Sequence, residues 1–395
     1  MPVKLKPLSE QVIVITGASS GIGLATARKA AEAGAAVVLA ARNEGALKAI
    51  AEEINASGGR AHAVAGDVGD PAQVEAIARA AIARFGGFDT WINDAGVGLY
   101  GDLETVPLAD HERLFRTNYF GVVNGSLEAV KHLKSRKSGG AIINLGSILS
   151  DVAVPLLGAY SASKHAVKGF TDALRMELAQ EKAPISITLI KPSSISTPFP
   201  DHARNYMDKA PRVPPPVYAP EVVAEAILHA AQHPTRHITV GSGGRQMVLL
   251  GGGVPAFADK LFALTIPKLA KRKGDKTVGD NLYEAGADGR TRTDAYGGRR
   301  FSIYTRAQRH PGVVLGAGAL ALIATAAYLG RGPIMRNARL WPRGWRDRWS
   351  HGPSCGVRWR RRNSPRVIQA RRSSSPAPFG RPEAGGRRLR IFTWD

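Results

Sequence analysis

The chain has 395 residues, which is enough to bury a large hydrophobic core as one large domain or as two to three smaller ones. Its formal net charge is +22, of which the tail 331–395 carries +14, since it has 17 arginines against 3 acidic residues. The single cysteine, Cys355, excludes an intramolecular disulfide framework, and the first residues have no apolar signal core. We therefore expect the main body to be cytoplasmic.

Apolar, strand-forming runs alternate with alanine-rich helical stretches along the first 240 residues. Strands are predicted at 12–16, 36–40, 61–65, 88–93, 141–145, 185–191 and 237–240. Helices are predicted at 22–33, 44–56, 72–85, 109–134, 159–180 and 221–232. This alternation is typical of a parallel sheet covered by helices on both faces. The sequence thus predicts a doubly wound α/β fold, which binds ligands at the carboxyl ends of its strands.

A glycine-rich turn follows the first strand and precedes a helix. It consists of Thr16, Gly17, Ala18, Ser19, Ser20, Gly21, Ile22 and Gly23. Glycines here allow a tight turn and the close approach of a pyrophosphate, whose charge suits a helix N-terminus. The spacing departs from the common Gly-x-Gly-x-x-Gly pattern, so a turn without a ligand is the alternative interpretation.

Four further residues suggest proton-transfer chemistry. Tyr160 and Lys164 are four residues apart and so share one helix face. A cation beside a phenol lowers the pKa of the phenol, as proton transfer near neutrality requires. Ser147 can direct its hydroxyl to the same substrate oxygen, and Asn118 is a residue type that is unfavourable inside a helix. A solvated helix face would also explain Tyr160 and Lys164 taken alone.

Taken together, the glycine-rich turn, Asn118, Ser147 and Tyr160-x-x-x-Lys164 resemble the short-chain dehydrogenase/reductase family over residues 8–245. The resemblance implies a Rossmann-type three-layer sandwich with a mostly parallel seven-stranded sheet. It also implies a catalytic tetrad in which the main chain of Asn118 holds a water that links Lys164 to solvent; a structural asparagine at a helix kink is the alternative. Besides the residues of the glycine-rich turn other than Ala18, and besides Tyr160 and Lys164, the implied cofactor contacts are Asp67, Val68, Asn93, Ala95, Gly96, Pro192, Ile195 and Thr197. Asp94 replaces the family's second asparagine.

The end of the second strand bears on the choice of cofactor. Ala41 stands where the family places an acidic residue to bind the ribose hydroxyls of NAD, and Arg42 follows it. A guanidinium suits a 2′-phosphate by charge and by its forked geometry. We therefore expect NADP(H) rather than NAD(H), with a solvated Arg42 as the alternative.

The proline-rich segment 199–218 corresponds to the family's lid over the substrate. Four apolar residues are expected to line the pocket or, alternatively, to belong to the core; they are Val97, Leu149, Val154 and Leu156. An apolar lining implies a small apolar carbonyl or alcohol as substrate.

The chain beyond residue 250 is predicted to lie outside the dehydrogenase domain, 1–250. Residues 251–310 are interpreted as an extension and linker. Within them, apolar and basic residues near 257–273 have helical spacing; this helix would lie on an anionic membrane surface, over the substrate cleft or against a dimer partner. The uncharged segment 311–330 is long enough to span a bilayer, and we predict a transmembrane anchor there, with a buried helix as the alternative. The arginine-rich tail 331–395 is predicted to be disordered.

These observations predict an oxidoreductase that transfers a hydride between NADP(H) and an alcohol or carbonyl of an apolar substrate. The family resemblance adds a homo-oligomer. No metal site and no nucleic-acid partner are expected. Two alternatives are an NADP(H)-binding sensor or scaffold without significant turnover, and a nucleic-acid-binding protein acting through the basic tail.

Overall fold

The structure is a computed structural model, and it describes residues 3–272, 280–286 and 288–309. Its strands are β1 (Val12–Thr16), β2 (Ala36–Ala41), β3 (Arg60–Ala65), β4 (Thr90–Asn93), β5 (Leu99–Tyr100), β6 (Gly140–Leu145), β7 (Ile185–Pro192), β8 (Arg204–Asn205) and β9 (His237–Val240). Seven of them form one sheet in the order β3-β2-β1-β4-β6-β7-β9, with every pair parallel. The predicted Rossmann-type fold is confirmed, and the sheet is wholly rather than mostly parallel. The short strands β5 and β8 form a separate pair that the sequence did not predict.

Helices cover both faces of the sheet. They are α1 (Gly21–Glu32), α2 (Glu44–Ala56), α3 (Pro71–Phe85), α4 (Leu108–Phe115), α5 (Gly121–Ser135), α6 (Gly158–Gln180), α7 (Phe199–His202), α8 (Pro220–Ala230), α9 (Ser242–Gly253), α10 (Pro255–Leu269) and α11 (Ile303–Arg309). Alternate residues of β1 face opposite layers: Ile13 and Ile15 pack with α1, α2 and α8, whereas Val14 packs with α3, α5 and α6. The β1 neighbours β2 and β4 lie on opposite sides of it, which places a crevice at the carboxyl end of β1.

Local sequence explains where several helices begin. The side chain of Asn43 accepts a hydrogen bond from the Ala46 amide, and that of Asp70 accepts one from the Ala72 amide, so both residues cap helices. The predicted helix 109–134 is helical over its whole length, but its hydrogen-bond pattern changes in the middle. A π-helical turn, Arg116–Phe120, separates α4 from α5 and carries Asn118.

The predicted anchor 311–330 and the tail 331–395 lie outside the described residues. Within the part of the chain that is described, no helix is both long enough and apolar enough to cross a bilayer. The proposed domain boundaries remain predictions.

Candidate active site

A cavity of about 650 Å³ opens at the carboxyl ends of the central strands. The predicted site residues that line it are Gly17, Ser19, Ser20, Gly21, Ile22, Arg42, Asp67, Val68, Ala95, Gly96, Ser147, Tyr160, Lys164, Pro192, Ile195 and Thr197. Four others do not line it; they are Thr16, Gly23, Asn93 and Asn118. The structure therefore brings most of the predicted residues to one cavity.

Thr16 and Gly23 shape the glycine-rich turn from behind. The Thr16 hydroxyl accepts hydrogen bonds from the amides of Asp94, at 3.2 Å, and Ala95, at 3.3 Å. A Cβ atom at Gly23 would lie 2.2 Å from the Gly17 carbonyl oxygen, and Gly17 itself has a φ of +73°. Only glycine fits both positions, so this close packing holds the turn against the end of β4.

Asn93 and Asn118 also act from outside the cavity. The Asn93 amide is buried, where it accepts from the Trp91 indole at 2.8 Å and donates to Asn144 at 2.8 Å. Asn118 is completely buried and holds Val97 through both backbone groups, accepting from its amide at 2.8 Å and donating to its carbonyl at 3.0 Å. Asn118 therefore fixes the backbone that borders the cavity, whereas Asn93 belongs to a buried network of side chains.

Ser147, Tyr160 and Lys164 converge. Ser147 follows β6 and caps a 3-10 turn, while Tyr160 and Lys164 lie on successive turns of α6. Ser147 is close enough to Tyr160 to lower the pKa of its phenol. The Lys164 ammonium donates to the Leu145 carbonyl at 2.8 Å and lies 5.6 Å from the centroid of the Tyr160 ring. The two hydroxyls can thus share one substrate oxygen.

The electrostatics of this cluster differ from the expectation that Lys164 lowers the pKa of Tyr160. Burial raises the pKa of Tyr160 above its ordinary value, and the charge of Asp94 raises it further, against the lowering effect of Ser147. Burial likewise lowers the pKa of Lys164 to about 8, a shift that Asp94 partly opposes. Desolvation is therefore the dominant effect, and it keeps the phenol protonated.

Asp94 is a member of this cluster that the motif analysis left without a role. Burial raises the pKa of its carboxyl to about 7, although the Lys164 ammonium and the Gly23 amide both favour the carboxylate. Its substitution for asparagine was visible in the sequence. That the new charge lies close enough to influence Lys164 and Tyr160 could not be predicted from its position in the chain.

Arg42 and Asp67 form the polar end of the cavity. Asp67 accepts from Arg113 at 2.7 Å and from the Gly69 amide at 2.9 Å. Although burial tends to raise the pKa of Asp67, these contacts lower it overall. Arg42 is partly buried, and burial lowers the pKa of its guanidinium. This end therefore holds a cation beside a stable carboxylate.

The opposite end of the cavity is apolar. Val97, Leu149 and Val154 line it as expected, whereas Leu156 does not and its neighbour Leu157 does. Phe199, in the segment predicted as a lid, packs with its ring centroid 5.3 Å from that of Tyr160. Helices α9 and α10 complete this wall with Met247, Leu250, Leu261, Phe262 and Ile266. For the α10 residues this is one of the positions expected for the stretch 257–273, whereas the α9 residues were not predicted.

The cavity fits a nicotinamide dinucleotide. Its volume lies within the range of about 300–1,000 Å³ that is usual for ligand pockets. The start of α1 suits a pyrophosphate by its helix dipole, while its first amide, that of Gly21, donates to the Arg290 carbonyl at 2.9 Å. The polar end with Arg42 suits the adenosine part. Lys164 and the Ser147–Tyr160 pair would then border the reactive end.

Comparison with known proteins agrees with this geometry. A family profile described as short chain dehydrogenase matches residues 11–207. The chain is 44% identical to the uncharacterized oxidoreductase YxnA of Bacillus subtilis over 329 residues, which cover 82% of this chain and 92% of the relative. It is also 36% identical to dehydrogenase/reductase SDR family member 7B of Mus musculus over 194 residues, covering 48% and 59% of the two chains.

Two solved structures share the fold. A short-chain dehydrogenase/reductase from Burkholderia phymatum in complex with NAD superposes with a TM-score of 0.58 and 28% identity, covering 64% of this chain and 96% of that one. An alcohol dehydrogenase from Thermococcus sibiricus complexed with 5-hydroxy-NADP gives a TM-score of 0.51 and 26% identity, covering 58% and 95%. With the sequence relatives, they establish that this chain is an oxidoreductase of the short-chain dehydrogenase/reductase family.

Proposed function

We propose that the protein interconverts an alcohol and a carbonyl on a small apolar substrate, with NADP(H) as its cofactor. The observation that carries the proposal is the meeting of Ser147, Tyr160 and Lys164 on the wall of a cavity that is polar at one end and apolar at the other. When bound, the cofactor supplies or accepts the hydride. The protein supplies the proton, the orientation and a surface from which water is excluded.

Tyr160 and Ser147 handle the substrate oxygen. In the reductive direction the protonated Tyr160 hydroxyl donates its proton to this oxygen, and the Ser147 hydroxyl donates a hydrogen bond that stabilises the developing charge. The raised pKa of Tyr160 suits this role because it keeps the proton available at neutral pH. Lys164 would hold the nicotinamide ribose, and Asn118 fixes the Val97 backbone beside the site.

The preference for NADP(H) rests on the end of β2. Ala41 cannot accept from ribose hydroxyls, and Arg42 borders the same part of the cavity. An arginine there can bind a 2′-phosphate with two parallel hydrogen bonds. The solved relatives named above include one complexed with NAD and one with an NADP analogue, so the family accommodates both.

An apolar substrate follows from the lining. Residues such as Leu149, Leu261 and Phe262 present only hydrocarbon to the region beside Tyr160. Burying apolar substrate surface there contributes about 25 cal/mol per Å². A charged substrate would lose its hydration without compensation.

The test is a substrate and cofactor screen with the full-length protein. We expect NADPH to be consumed faster than NADH with a panel of apolar ketones and aldehydes. Tyr160→Phe should reduce turnover by roughly 100- to 10,000-fold while leaving NADPH affinity within about twofold, because only the proton donor is lost. NADPH binding without turnover on any member of the panel would favour the sensor or scaffold alternative. Unchanged turnover of Tyr160→Phe would reject the catalytic assignment.

A further inference from the structure

Part of the C-terminal extension crosses the cofactor end of the cavity. We call residues 280–286 and 288–290 the C-terminal clasp. The clasp has no helix or strand, and its residues Asn281, Ala285, Gly286 and Asp288 line the same cavity as the glycine-rich turn. It is therefore a wall of the cofactor site that comes from outside the region matched by the family profile.

The clasp is hydrogen-bonded to the glycine-rich turn itself. The Gly289 amide donates to the Ser19 carbonyl at 2.8 Å, and the Arg290 carbonyl accepts from the Gly21 amide at 2.9 Å. Gly289 has a φ of +96°, which few other residues adopt. The two bonds join backbone to backbone, so they fix the position of the clasp over the start of α1.

A second set of contacts joins the clasp to the end of β2. Arg42 donates to the carbonyls of Tyr283, at 3.1 Å, and Asn281. The Asn43 side chain donates to the Gly286 carbonyl at 3.2 Å. The residue proposed to recognise the 2′-phosphate is thus oriented by the clasp.

A third set anchors the clasp on the opposite side of the cleft. Leu282 is completely buried in a cluster with Val97, Leu99 and Leu114, and its carbonyl accepts from Arg113 at 2.9 Å. Two further side chains hold the same end: the Tyr283 hydroxyl donates to Asp110 at 2.8 Å, and Asp280 accepts from Arg204 at 2.8 Å. The clasp consequently spans the cleft and is attached at both edges.

The clasp lines a cavity that retains a volume of about 650 Å³. We propose that the C-terminal clasp closes the adenosine end of the cofactor site over the bound dinucleotide, so that the dinucleotide leaves only when the clasp opens. This inference rests on the proposed cofactor function. It makes the extension a part of the binding site that controls the rate of cofactor exchange.

Two variants weaken the clasp at different points. Gly289→Pro removes the amide that bonds Ser19 and cannot adopt the positive φ of this position. A second, milder variant combines Asp280→Asn with Tyr283→Phe. It removes the charge that pairs with Arg204 and the hydroxyl that bonds Asp110, without changing the backbone. Gly297→Pro is the matched control, because it introduces proline into the same extension at an exposed position beyond the clasp.

The experiment measures NADPH dissociation from the full-length protein by stopped-flow fluorescence, with excess NADP⁺ as the competitor. We expect Gly289→Pro to release NADPH at least tenfold faster than the wild type, the double variant severalfold faster, and Gly297→Pro at the wild-type rate. Hydrogen exchange should show that bound NADPH protects the clasp amides in the wild type and protects them less in Gly289→Pro.

Two results would contradict the proposed role of the clasp while leaving the cofactor assignment intact. The first is equal NADPH dissociation rates in the wild type and both clasp variants. The second is tighter NADPH binding with faster association in the variants, which would identify the segment as a plug. If the wild type bound neither NADPH nor NADH, the proposed function itself would fail and the clasp with it.

Discussion

Asp94→Asn tests whether the buried carboxyl group sets the proton affinities of its neighbours. The substitution preserves size and removes the ionisable group. With a pKa of about 7, Asp94 is roughly half ionised at neutral pH, and its charge raises the pKa of both Lys164 and Tyr160. Its loss should therefore lower both values.

The size of the effect follows from the pKa of Lys164, which lies at about 8. A lost coupling on the order of 1.4 kcal/mol corresponds to about one pKa unit, which would move the Lys164 pKa to roughly 7. The ammonium fraction would then fall from about nine-tenths to about half at pH 7, and from about half to about a tenth at pH 8. If carbonyl reduction requires the Lys164 ammonium, its rate should fall about twofold at pH 7 and about fivefold at pH 8.

The assay is the pH profile of kcat/KM in both directions. For reduction, the alkaline limb of Asp94→Asn should lie about one pH unit lower, because both Lys164 and Tyr160 lose their protons earlier. For oxidation, which needs the Tyr160 phenolate, the rising limb should move in the same direction. Asp102→Asn, a change of the same charge at an exposed position, should leave both limbs unmoved. Coincident profiles for Asp94→Asn and the wild type would refute this reasoning.

Three other predictions concern the cofactor, the substrate and stability. Asp288→Asn should strengthen the binding of NADPH more than that of NADH in a fluorescence titration, since Asp288 is an acidic neighbour of Arg42 in the cavity; equal changes would contradict a 2′-phosphate beside Arg42. Phe262→Glu should raise the KM for apolar substrates by roughly 10- to 100-fold through the cost of an unpaired charge, and an unchanged KM would exclude α10 from the substrate wall. Gly125→Ala should destabilise the fold by about 1–3 kcal/mol or more in urea unfolding, because its Cβ would lie 2.1 Å from the Asn93 amide oxygen; wild-type stability would show that this core can expand.

The sequence predicted the central sheet well because burial on both faces requires continuous apolar runs. β1 and β9 begin and end where predicted, and the other sheet strands differ by one or two residues at their ends. The short pair β5 and β8 was missed because two-residue strands leave no periodic signal. The predicted helix 109–134 is helical throughout, but the sequence did not predict the π-helical turn Arg116–Phe120, from which Asn118 bonds to Val97.

The parts of the candidate site also fall into those that the sequence predicted and those that it did not. Tyr160, Lys164 and the glycines were recognisable because the chemistry requires those residue types at fixed spacings. Helix α10 was recognisable only as an apolar and basic stretch, since periodicity cannot say which surface a helix covers. The clasp could not be predicted, because its bonds to the glycine-rich turn use backbone amides and carbonyls that every sequence possesses.

The raised pKa of Tyr160 and the lowered pKa of Lys164 have a common cause, which is removal from water. In a solvated site, the pKa values of Tyr160 and Lys164 would stay near their ordinary values. The spacing of the two residues on one helix face would not shift them by itself. Here the walls that remove water come from Phe199, helix α10 and the clasp as well as from the motif residues. The pKa values of Tyr160 and Lys164 therefore depend on the surface that encloses them. A variant that opens this surface should change the pH dependence of activity even though neither Tyr160 nor Lys164 has been altered.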